Sequence, residues 1–346
     1  MGLIINARFL TQRLTGVQRY ALECSMQIRN ITKDIIFVAP DQVLYPDLAE
    51  ALNVTITGKL KGHLWEQTDL YQFARNKGCP PLLNLANTAP LRYPNNYITI
   101  HDLAFMHYPE WNSRAFATWY RFLVPRLARR SRQLFTVSNT VKNEICQAFE
   151  IPGEKISVTY NGIGSSFEKP CTGIKKKQLL AVGTFNLRKN HHKLVDAFLK
   201  SGLQSTYELL IVGDKEDIYR QLSLPEHETG IKIINRPDDA ILMQLYREAE
   251  VLVSLSAYEG FGLPVLEGLY YGCKILCADI AVYRELFDNY VYFCNPSDSD
   301  SIIASLKLVT TTIENKVTGA DTLFEKYSYA RAARQILDTI QNQTLA

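Results

Sequence analysis

The stretch Val251-Leu-Val-Ser-Leu255, followed by Ser256-Ala-Tyr-Glu-Gly-Phe-Gly-Leu-Pro-Val-Leu-Glu-Gly268, decides the fold. Its first part predicts a buried strand, because an uncharged apolar run fits the interior of a parallel sheet. Two glycines then allow a tight turn, and Pro264 favours the first position of a helix. A strand, a glycine turn and a helix start are typical of an anion site. The alternative is an ordinary crossover with two surface glutamates, Glu259 and Glu267.

The composition is that of an ordinary globular protein. The chain has 346 residues, 47% of them hydrophobic and 21% charged, and this length fits two domains. A net charge of +3 is too small to favour nucleic acid, so we expect no nucleic acid partner. Seven cysteines without paired spacing favour reduced thiols and a cytoplasmic location. We expect neither a signal peptide nor a spanning helix, because the apolar runs are too short.

Two series of predicted strands and helices follow one another along the chain. The first series has strands at 3–5, 35–38, 54–56, 82–85, 97–100, 134–137 and 156–159. The second has strands at 179–182, 209–213, 231–234, 251–255, 274–277 and 290–293. Residues 163–177 form the most linker-like segment, with Gly, Ser, Pro and a lysine run. The pattern predicts an α/β protein of two doubly wound, Rossmann-like domains facing across a cleft.

His101 follows the predicted strand 97–100. It therefore lies at the carboxyl end of a parallel strand, which is where ligands bind in open α/β sheets. A histidine there can donate a hydrogen bond to a ligand oxygen, or it can cap the strand end for structural reasons. The sequence favours neither interpretation.

A helical stretch over 112–133 combines six arginines with aromatic residues. Pro125 is expected to kink or divide it. Basic and aromatic residues in one helix fit a peripheral contact with an anionic membrane surface. A solvated basic face over a packed apolar face is the alternative, and it is the commoner arrangement.

Two cations and two carboxylates are expected at one edge of the second sheet. Arg188 and Lys189 follow its first strand, and Glu259 and Glu267 follow its fourth. Parallel strands deliver all four to one edge if those two strands are close. The cations and a helix N-terminus suit a diphosphate, and the carboxylates suit sugar hydroxyls. Together they predict a nucleotide-sugar site, with a solvated loop as the alternative for Arg188 and Lys189.

These residues resemble the retaining glycosyltransferases of family 4, which have the GT-B architecture. Glu259-Gly-Phe-Gly-Leu-Pro-Val-Leu-Glu267 is similar to their E-x(7)-E signature, and Gly183-Thr-Phe-Asn-Leu-Arg-Lys-Asn190 is similar to their phosphate-binding loop. Further segments resemble the family in the same order: Leu14-Thr-Gly-Val-Gln-Arg-Tyr20, His101-Asp-Leu103, Thr136-Val-Ser138 and Tyr160-Asn-Gly-Ile163. The resemblance covers nearly the whole chain, and the order and spacing of the motifs make it specific.

The resemblance implies roles at the reaction centre for four residues. Arg188 and Lys189 would hold the donor diphosphate. Many members have an arginine directly after the loop glycine; this chain has Thr184 there, which leaves Arg188 and Lys189 as the evident cations. Glu259 would hydrogen-bond the donor sugar, and His101 would lie near the reacting sugar.

The other residues implied to bind substrate lie mainly in glycine-containing turns and at strand ends. Glu267 would accept from ribose hydroxyls, Gly16 would let its loop approach donor and acceptor, and backbone N–H groups from Phe261 to Leu263 would assist Glu259. The full set is Gly16, Asn161, Gly183, Thr184, Gly260, Phe261, Gly262, Leu263 and Glu267.

The implied activity is transfer of a hexose, with retention, from a nucleotide sugar to a glycan or lipid-linked acceptor in O-antigen or capsule biosynthesis. GDP-mannose is the favoured donor; dTDP-rhamnose, a UDP-hexose and a non-catalytic sugar-nucleotide-binding protein are the alternatives. The implied domains are an acceptor-binding domain over 1–165, a nucleotide-sugar-binding domain over 166–325 and a helix over 326–346 that crosses back toward the first. The location is cytoplasmic, at the inner face of the membrane if the contact through 112–133 forms.

No metal and no cofactor beyond the donor are expected. Asp298-Ser-Asp300 fits a D-x-D metal motif, but it directly precedes a helix, and helix capping explains it better. The pair His191-His192 is expected at the surface or beside a phosphate rather than as metal ligands. A nicotinamide-dependent oxidoreductase is disfavoured, because Gly162-Ile-Gly164 and Gly260-Phe-Gly262 lack the third small residue of the dinucleotide fingerprint.

Overall fold

The computed structural model describes residues 2–168, 174–184, 187–213, 230–317 and 320–345. It divides the chain into two compact units, Met1–Gly164 with Tyr327–Ala346, and Ser165–Lys326. Each unit is built on a parallel β-sheet with helical crossovers. The predicted class, two doubly wound α/β domains, is confirmed.

The first unit contains a seven-stranded sheet in the order β3-β2-β1-β4-β5-β6-β7. Its strands are β1 (Leu3–Asn6), β2 (Ile35–Ala39), β3 (Thr55–Ile56), β4 (Leu82–Asn84), β5 (Asn96–Thr99), β6 (Gln133–Thr136) and β7 (Ile156–Val158). All neighbours pair in parallel, and β1 pairs with both β2 and β4. The strand order therefore reverses between β1 and β4, and this is the switch point of the sheet, where doubly wound folds bind ligands.

The helices of the first unit are α1 (Gly16–Ile31), α2 (Pro46–Leu52), α3 (Gly62–Trp65), α4 (Tyr71–Asn76), α5 (Ala104–His107), α6 (Arg114–Arg130) and α7 (Asn139–Phe149). A π-helical turn over Glu66–Leu70 joins α3 to α4. The C-terminal helix of the chain, Tyr329–Leu345, also belongs to this unit and packs against α1. Its approach is close at Gly162, where a Cβ atom would lie 2.7 Å from the backbone nitrogen of Tyr329.

The second unit contains a six-stranded sheet in the order β10-β9-β8-β11-β12-β13. Its strands are β8 (Lys176–Val182), β9 (Glu208–Gly213), β10 (Ile231–Asn235), β11 (Ala249–Ser254), β12 (Lys274–Ala278) and β13 (Tyr292–Cys294). Because β8 pairs with both β9 and β11 in parallel, the switch point lies between β8 and β11. Buried apolar residues of β8, β9 and β11 form the core of the unit.

The described helices of the second unit are α8 (His191–Ser201), α9 (Asp239–Glu248), α10 (Leu263–Tyr270), α11 (Ala281–Phe287), α12 (Ser299–Thr311) and α13 (Asp321–Lys326). The C-terminal helix of the chain is accordingly numbered α14. No helix among the described residues is long and apolar enough to cross a membrane.

Three local predictions need correction. Of the two alternatives for Pro125, division of the helix is wrong, since α6 continues through it, and a kink stays a prediction; buried residues on both sides, among them Leu123 and Leu127, hold the helix in place. The lysine run is not linker, because β8 begins at Lys176 and the Nζ of Lys175 donates to two backbone carbonyls. Pro264 is the second helical residue, since α10 begins one residue earlier.

Candidate active site

The loop after β8 and the loop after β11 are joined by backbone and side-chain hydrogen bonds. Asn190 adopts a left-handed conformation at the start of α8, with φ at 53°, and its Nδ2 donates to the carbonyl oxygen of Leu255 at 2.8 Å. The backbone nitrogen of Ala257 donates to the carbonyl oxygen of Arg188, also at 2.8 Å. The two loops are therefore held together independently of their charged side chains.

Arg188 and Lys189 meet Glu259 at the switch point of this sheet. The Nζ of Lys189 lies 2.5 Å from Glu259 Oε1, and the Nη1 of Arg188 lies 3.4 Å from Oε2. The side chains of Lys189 and Glu259 are 9% and 10% exposed. The arrangement brings together three of the four residues implied at the reaction centre. It carries an excess positive charge, because two cations face one carboxylate.

Glu259 is ionised in this environment. Burial by itself raises the pKa of a carboxyl group, but the charges of Arg188 and Lys189 outweigh that effect and lower the pKa of Glu259 to about 2. The hydroxyl of Ser256 contributes a further hydrogen bond in the same direction. At neutral pH Glu259 can therefore accept hydrogen bonds and cannot act as a proton donor.

Gly262 forms the glycine turn on top of an aromatic ring. Its φ of 104° is disfavoured for other residues, and a Cβ atom there would lie 2.4 Å from Tyr283 Cε1. The hydroxyl of Tyr283 in turn hydrogen-bonds Ser254 at 2.9 Å. The turn is buried at Gly260 and Phe261 and leads directly into Leu263, the first residue of α10. Only glycine fits at position 262.

Glu267 lies on α10 and is buried. Its Oε2 accepts a hydrogen bond of 2.6 Å from the hydroxyl of Tyr246 on α9. The implied contact of Glu267 with ribose stays a prediction, and Tyr246 orients the carboxylate for any such contact.

Gly183 packs closely against the stem of Lys189. Its φ is 151°, and a Cβ atom would lie 3.0 Å from Lys189 Cε. Thr184 is exposed. The next two residues of the predicted phosphate-binding loop, 185 and 186, lie outside the described residues.

His191 begins α8 directly after the cations, and it is buried rather than at the surface. Burial, together with the nearby charges of Lys189 and His192, lowers the pKa of His191 to about 3. Of the two expected locations, the surface is wrong for His191, because α8 packs its first turn into the unit, whereas His192 is exposed; a location beside a phosphate stays a prediction. His191 is neutral at physiological pH.

The remaining predicted residues, His101, Asn161 and Gly16, belong to the first unit. His101 Nε2 donates to the carbonyl oxygen of Leu85 at 2.8 Å, and burial lowers the pKa of the imidazole. The structural interpretation of His101 is therefore supported at Nε2, whereas Nδ1 makes no hydrogen bond within the described residues. Asn161 is buried, and Gly16 is exposed at the first position of α1.

The Asp298-Ser-Asp300 motif caps a helix. The Asp298 side chain accepts a hydrogen bond of 3.0 Å from the backbone nitrogen of Asp300 at the start of α12, so the capping interpretation is confirmed. Within the described ranges, no group of three or more His, Cys, Asp or Glu side chains is placed to hold a metal ion.

Four residues that support this site had no predicted role: Asn190, Tyr246, Ser256 and Tyr283. Asn190 ends the R-K-N run and Ser256 precedes the glycine turn, so each was within reach of sequence reasoning as a loop-fixing polar residue. Tyr246 and Tyr283 lie on helices that the sequence could not place against the turn. Their contribution depends on the packing of α9 and α11.

Comparison with known proteins gives a consistent assignment. The family described as glycosyl transferases group 1 matches residues 166–343, and Glycosyltransferase Family 4 matches residues 80–166. The O-antigen chain mannosyltransferase RfbU of Salmonella typhimurium is 27% identical over 334 residues, covering 88% of this chain and 90% of the relative. The O-antigen chain mannosyltransferase B of Escherichia coli is 26% identical, covering 63% of this chain and 61% of the relative.

The fold is that of solved glycosyltransferase structures. HepE from Anabaena, solved in complex with UDP-glucose, has a TM-score of 0.76 at 15% identity and covers 98% of this chain and 99% of its own. The first family match spans just over half of the chain and contains Arg188, Lys189, Glu259 and Glu267. The chain belongs to the group 1 glycosyl transferases.

Proposed function

We propose that the chain transfers mannose, with retention and without a metal, from GDP-mannose to a glycan or lipid-linked acceptor in O-antigen or capsule biosynthesis. The observation that carries the proposal is the cluster of Lys189 and Arg188 on Glu259 at the switch point between β8 and β11. Two cations and one ionised carboxylate supply what a nucleotide sugar needs, since they provide donors for phosphate oxygens and an acceptor for sugar hydroxyls.

The charge balance suggests how donor binding proceeds. A diphosphate brings more negative charge than Glu259, so it competes for Lys189 and Arg188 and releases part of their hold on the carboxylate. Glu259, which is ionised in the cluster, then accepts from hydroxyls of the transferred sugar. Stabilisation of the leaving diphosphate by the two cations lowers the barrier. In this proposal the acceptor attacks from the face of the leaving group, and a phosphate oxygen takes its proton.

The identity of the sugar rests on the relatives. RfbU and the Escherichia coli relative are named O-antigen chain mannosyltransferases, which favours mannose and a polysaccharide or lipid-linked acceptor for this chain. The complex of HepE with UDP-glucose keeps a UDP-hexose as the second candidate donor.

A thermal-shift screen against GDP, UDP, dTDP and their sugars tests the donor. A ligand that binds only the folded state raises the unfolding midpoint in proportion to its concentration over Kd, so we expect the largest shift with GDP and GDP-mannose. A larger shift with UDP and its sugars would favour a UDP-hexose as the donor, and no shift with any nucleotide would overturn the proposal. The anomeric configuration of the product, and turnover in excess EDTA, test retention and metal independence.

A peripheral membrane contact through 112–133 also belongs to the proposal. Phe116 and Phe122 on α6 are 39% and 44% exposed, and the guanidinium of Arg126 lies 3.9 Å from the centroid of the Phe122 ring. Exposed aromatic rings with cations beside them suit an anionic lipid surface. Arg129, in contrast, donates to the carbonyl oxygen of Phe149 at 3.3 Å and has a structural role.

Vesicle flotation tests this contact. We expect the wild type to float with phosphatidylglycerol vesicles. Replacing Arg126 and Arg130 by Glu should abolish this flotation, because each basic residue contributes about 1 kcal/mol at an anionic surface. The same charge change at Arg75 and Arg334 serves as the control. Equal loss in both variants would mean that overall charge, and not α6, carries the binding.

A further inference from the structure

The switch point of the first sheet holds a buried ion pair of its own. Arg8 lies in the turn after β1, Thr88 follows β4, and Glu66 begins the π-helical turn. Arg8 Nε lies 3.5 Å from Glu66 Oε1, with side chains 7% and 1% exposed. The pair occupies the place in the first unit that Lys189 and Glu259 occupy in the second.

Both carboxylate oxygens of Glu66 have polar partners within the first unit. Its Oε1 accepts from Asn6 Nδ2 at 2.9 Å and from Thr88 Oγ1 at 3.1 Å, and its Oε2 lies 3.3 Å from His63 Nδ1. Burial by itself raises the pKa of Glu66, but the charges of Arg8 and His63 reverse this and lower the pKa. Glu66 is therefore an ionised carboxylate, with partners on both oxygens, that compensates the charge of Arg8.

Arg8, in contrast, has donors without acceptors. Its Nη2 donates to Thr88 Oγ1 at 3.0 Å. Its Nε is buried without a hydrogen-bond partner, since 3.5 Å to Glu66 is an electrostatic contact and too long for a hydrogen bond. Within the described residues Nη1 makes no hydrogen bond either. Buried donors without partners are rare in native proteins and call for a ligand or an ordered water.

Aromatic side chains with further donors border the pair. The ring of His63 lies 5.8 Å from that of Tyr120 and 5.9 Å from that of Trp119. Trp119 Nε1 is buried without a partner, and the Tyr120 hydroxyl makes no hydrogen bond to a described residue. Burial raises the pKa of Tyr120 to about 12, with Arg8, Glu66 and Asp102 close enough to act on it.

A purely structural role does not explain this arrangement. A buried ion pair gains little stability, because desolvation of both charges offsets their attraction. The pair also lies at the switch point, where doubly wound sheets bind ligands, and beside a π-helical turn, a feature frequent at functional sites.

We propose that Arg8, Trp119 and Tyr120 form a subsite for the hydroxyl and ring oxygens of an uncharged acceptor sugar. Four donor groups without acceptors, on these three residues, call for a ligand rich in acceptor oxygens, and aromatic walls suit the apolar face of a pyranose. Glu66 cancels the charge of Arg8, so the site selects a neutral sugar over a phosphate or a carboxylate. The assignment of this sugar as the acceptor rests on the proposed function.

Saturation-transfer NMR and calorimetry with methyl α-mannoside, methyl α-glucoside and methyl glucuronide test the subsite. Arg8→Lys keeps a positive charge opposite Glu66 but loses the planar fork of donors. We expect it to weaken binding of the neutral glycosides at least tenfold while leaving the thermal shift by GDP-mannose unchanged. Tyr120→Phe, which removes one hydroxyl, should weaken binding of the neutral glycosides a few-fold. Arg29→Lys, at a part-buried arginine on α1 that donates to the Leu52 carbonyl oxygen, is the matched control.

Three outcomes would overturn the inference: no binding of either neutral glycoside by the wild type, a preference for the glucuronide, or unchanged binding in folded Arg8→Lys and Tyr120→Phe. If Arg8→Lys fails to fold, Tyr120→Phe alone decides. Failure of the proposed function has a different signature, in which the wild type binds methyl glycosides but shows no shift and no turnover with any nucleotide sugar.

Discussion

The two switch points of this molecule hold carboxylates in different charge balance. Between β8 and β11, Lys189 and Arg188 face Glu259, and the cluster carries one excess positive charge. Between β1 and β4, Arg8 alone faces Glu66, and the remaining partners of that carboxylate are neutral or titratable. The same position in the same type of sheet is thus suited to an anionic ligand in one unit and to a neutral ligand in the other.

In the two proposals, charge balance, and not the presence of charged residues, distinguishes the ligand of one switch point from that of the other. A carboxylate with surplus cations leaves positive charge available to a diphosphate. A buried carboxylate with one cation acts as a counter-charge. The three predictions below test this contrast in order of decreasing effect.

Removing a cation from the second switch point should have the largest effect. Lys189→Ala should lower kcat/KM by about 10² to 10³-fold, because loss of one such electrostatic donor typically costs that much. Initial rates of nucleotide release with saturating acceptor measure it. Lys200→Ala, which removes an exposed lysine paired with Asp196 on α8, is the control. Turnover unchanged in Lys189→Ala would break the assignment of a diphosphate to this switch point.

Disturbing the backbone of the same switch point should have a smaller effect, on stability. Gly262→Ala should lower the free energy of unfolding by about 2 kcal/mol, because the methyl group is both strained and in contact with the Tyr283 ring. Urea denaturation measures it. Gly202→Ala is the control, since position 202 also has a positive φ but has open space around it. Equal losses would mean that the contact with Tyr283 adds nothing to the backbone strain.

Acid should produce the smallest effect, a loss of unfolding free energy to which histidines of both units contribute. Burial lowers the pKa of His191 to about 3 and lowers that of His101 as well. As the pH falls, these two histidines are therefore protonated in the unfolded chain before they are protonated in the folded one. The stability from neutral histidines is complete above the ordinary histidine pKa near 6.5 and is lost as pH falls below it. The contribution of Glu259, whose pKa is about 2, is lost only below the ordinary carboxyl pKa near 4.5.

Urea denaturation at pH 7, 6 and 5 measures the histidine contribution. The loss of unfolding free energy over this range should be smaller in His191→Gln than in the wild type. His107→Gln changes a histidine whose side chain is 42% exposed. The loss of unfolding free energy in this variant should equal that of the wild type. A wild-type stability that is constant from pH 7 to pH 5 would contradict the neutral, buried state of His191.

Much of the second unit could be predicted from the sequence. The uncharged run before Ser256, the two glycines and the later glutamate specify a strand, a turn and a helix locally, and the structure has β11, a left-handed Gly262 and α10 in these places. The meeting of Lys189 with Glu259 required one further fact, the pairing of β8 with β11. Sequence reasoning could state this only as a condition, because strand order is set by contacts between distant segments.

The first switch point could not be predicted in this way. Arg8, Glu66 and Thr88 are separated by more than twenty residues from one another, and none belongs to a glycine turn or a charged motif. Glu66 looks like an ordinary surface residue of a helix, and only the fold shows that it is buried. The burial of His191 could not be predicted for a related reason, since two adjacent histidines give no sign of which one points inward.

The hydrogen bonds from Asn190 to Leu255 and from Ala257 to Arg188 also bear on the thermodynamics of recognition. They order the described parts of two loops without help from a ligand, so the conformational entropy of those parts is lost when the unit folds. A nucleotide that arrives later meets a surface already in its binding shape, and less of its contact energy is spent on ordering the protein. If the proposed donor site is correct, these described parts contribute to selectivity among nucleotide sugars by fit to an ordered surface rather than by being assembled by each ligand.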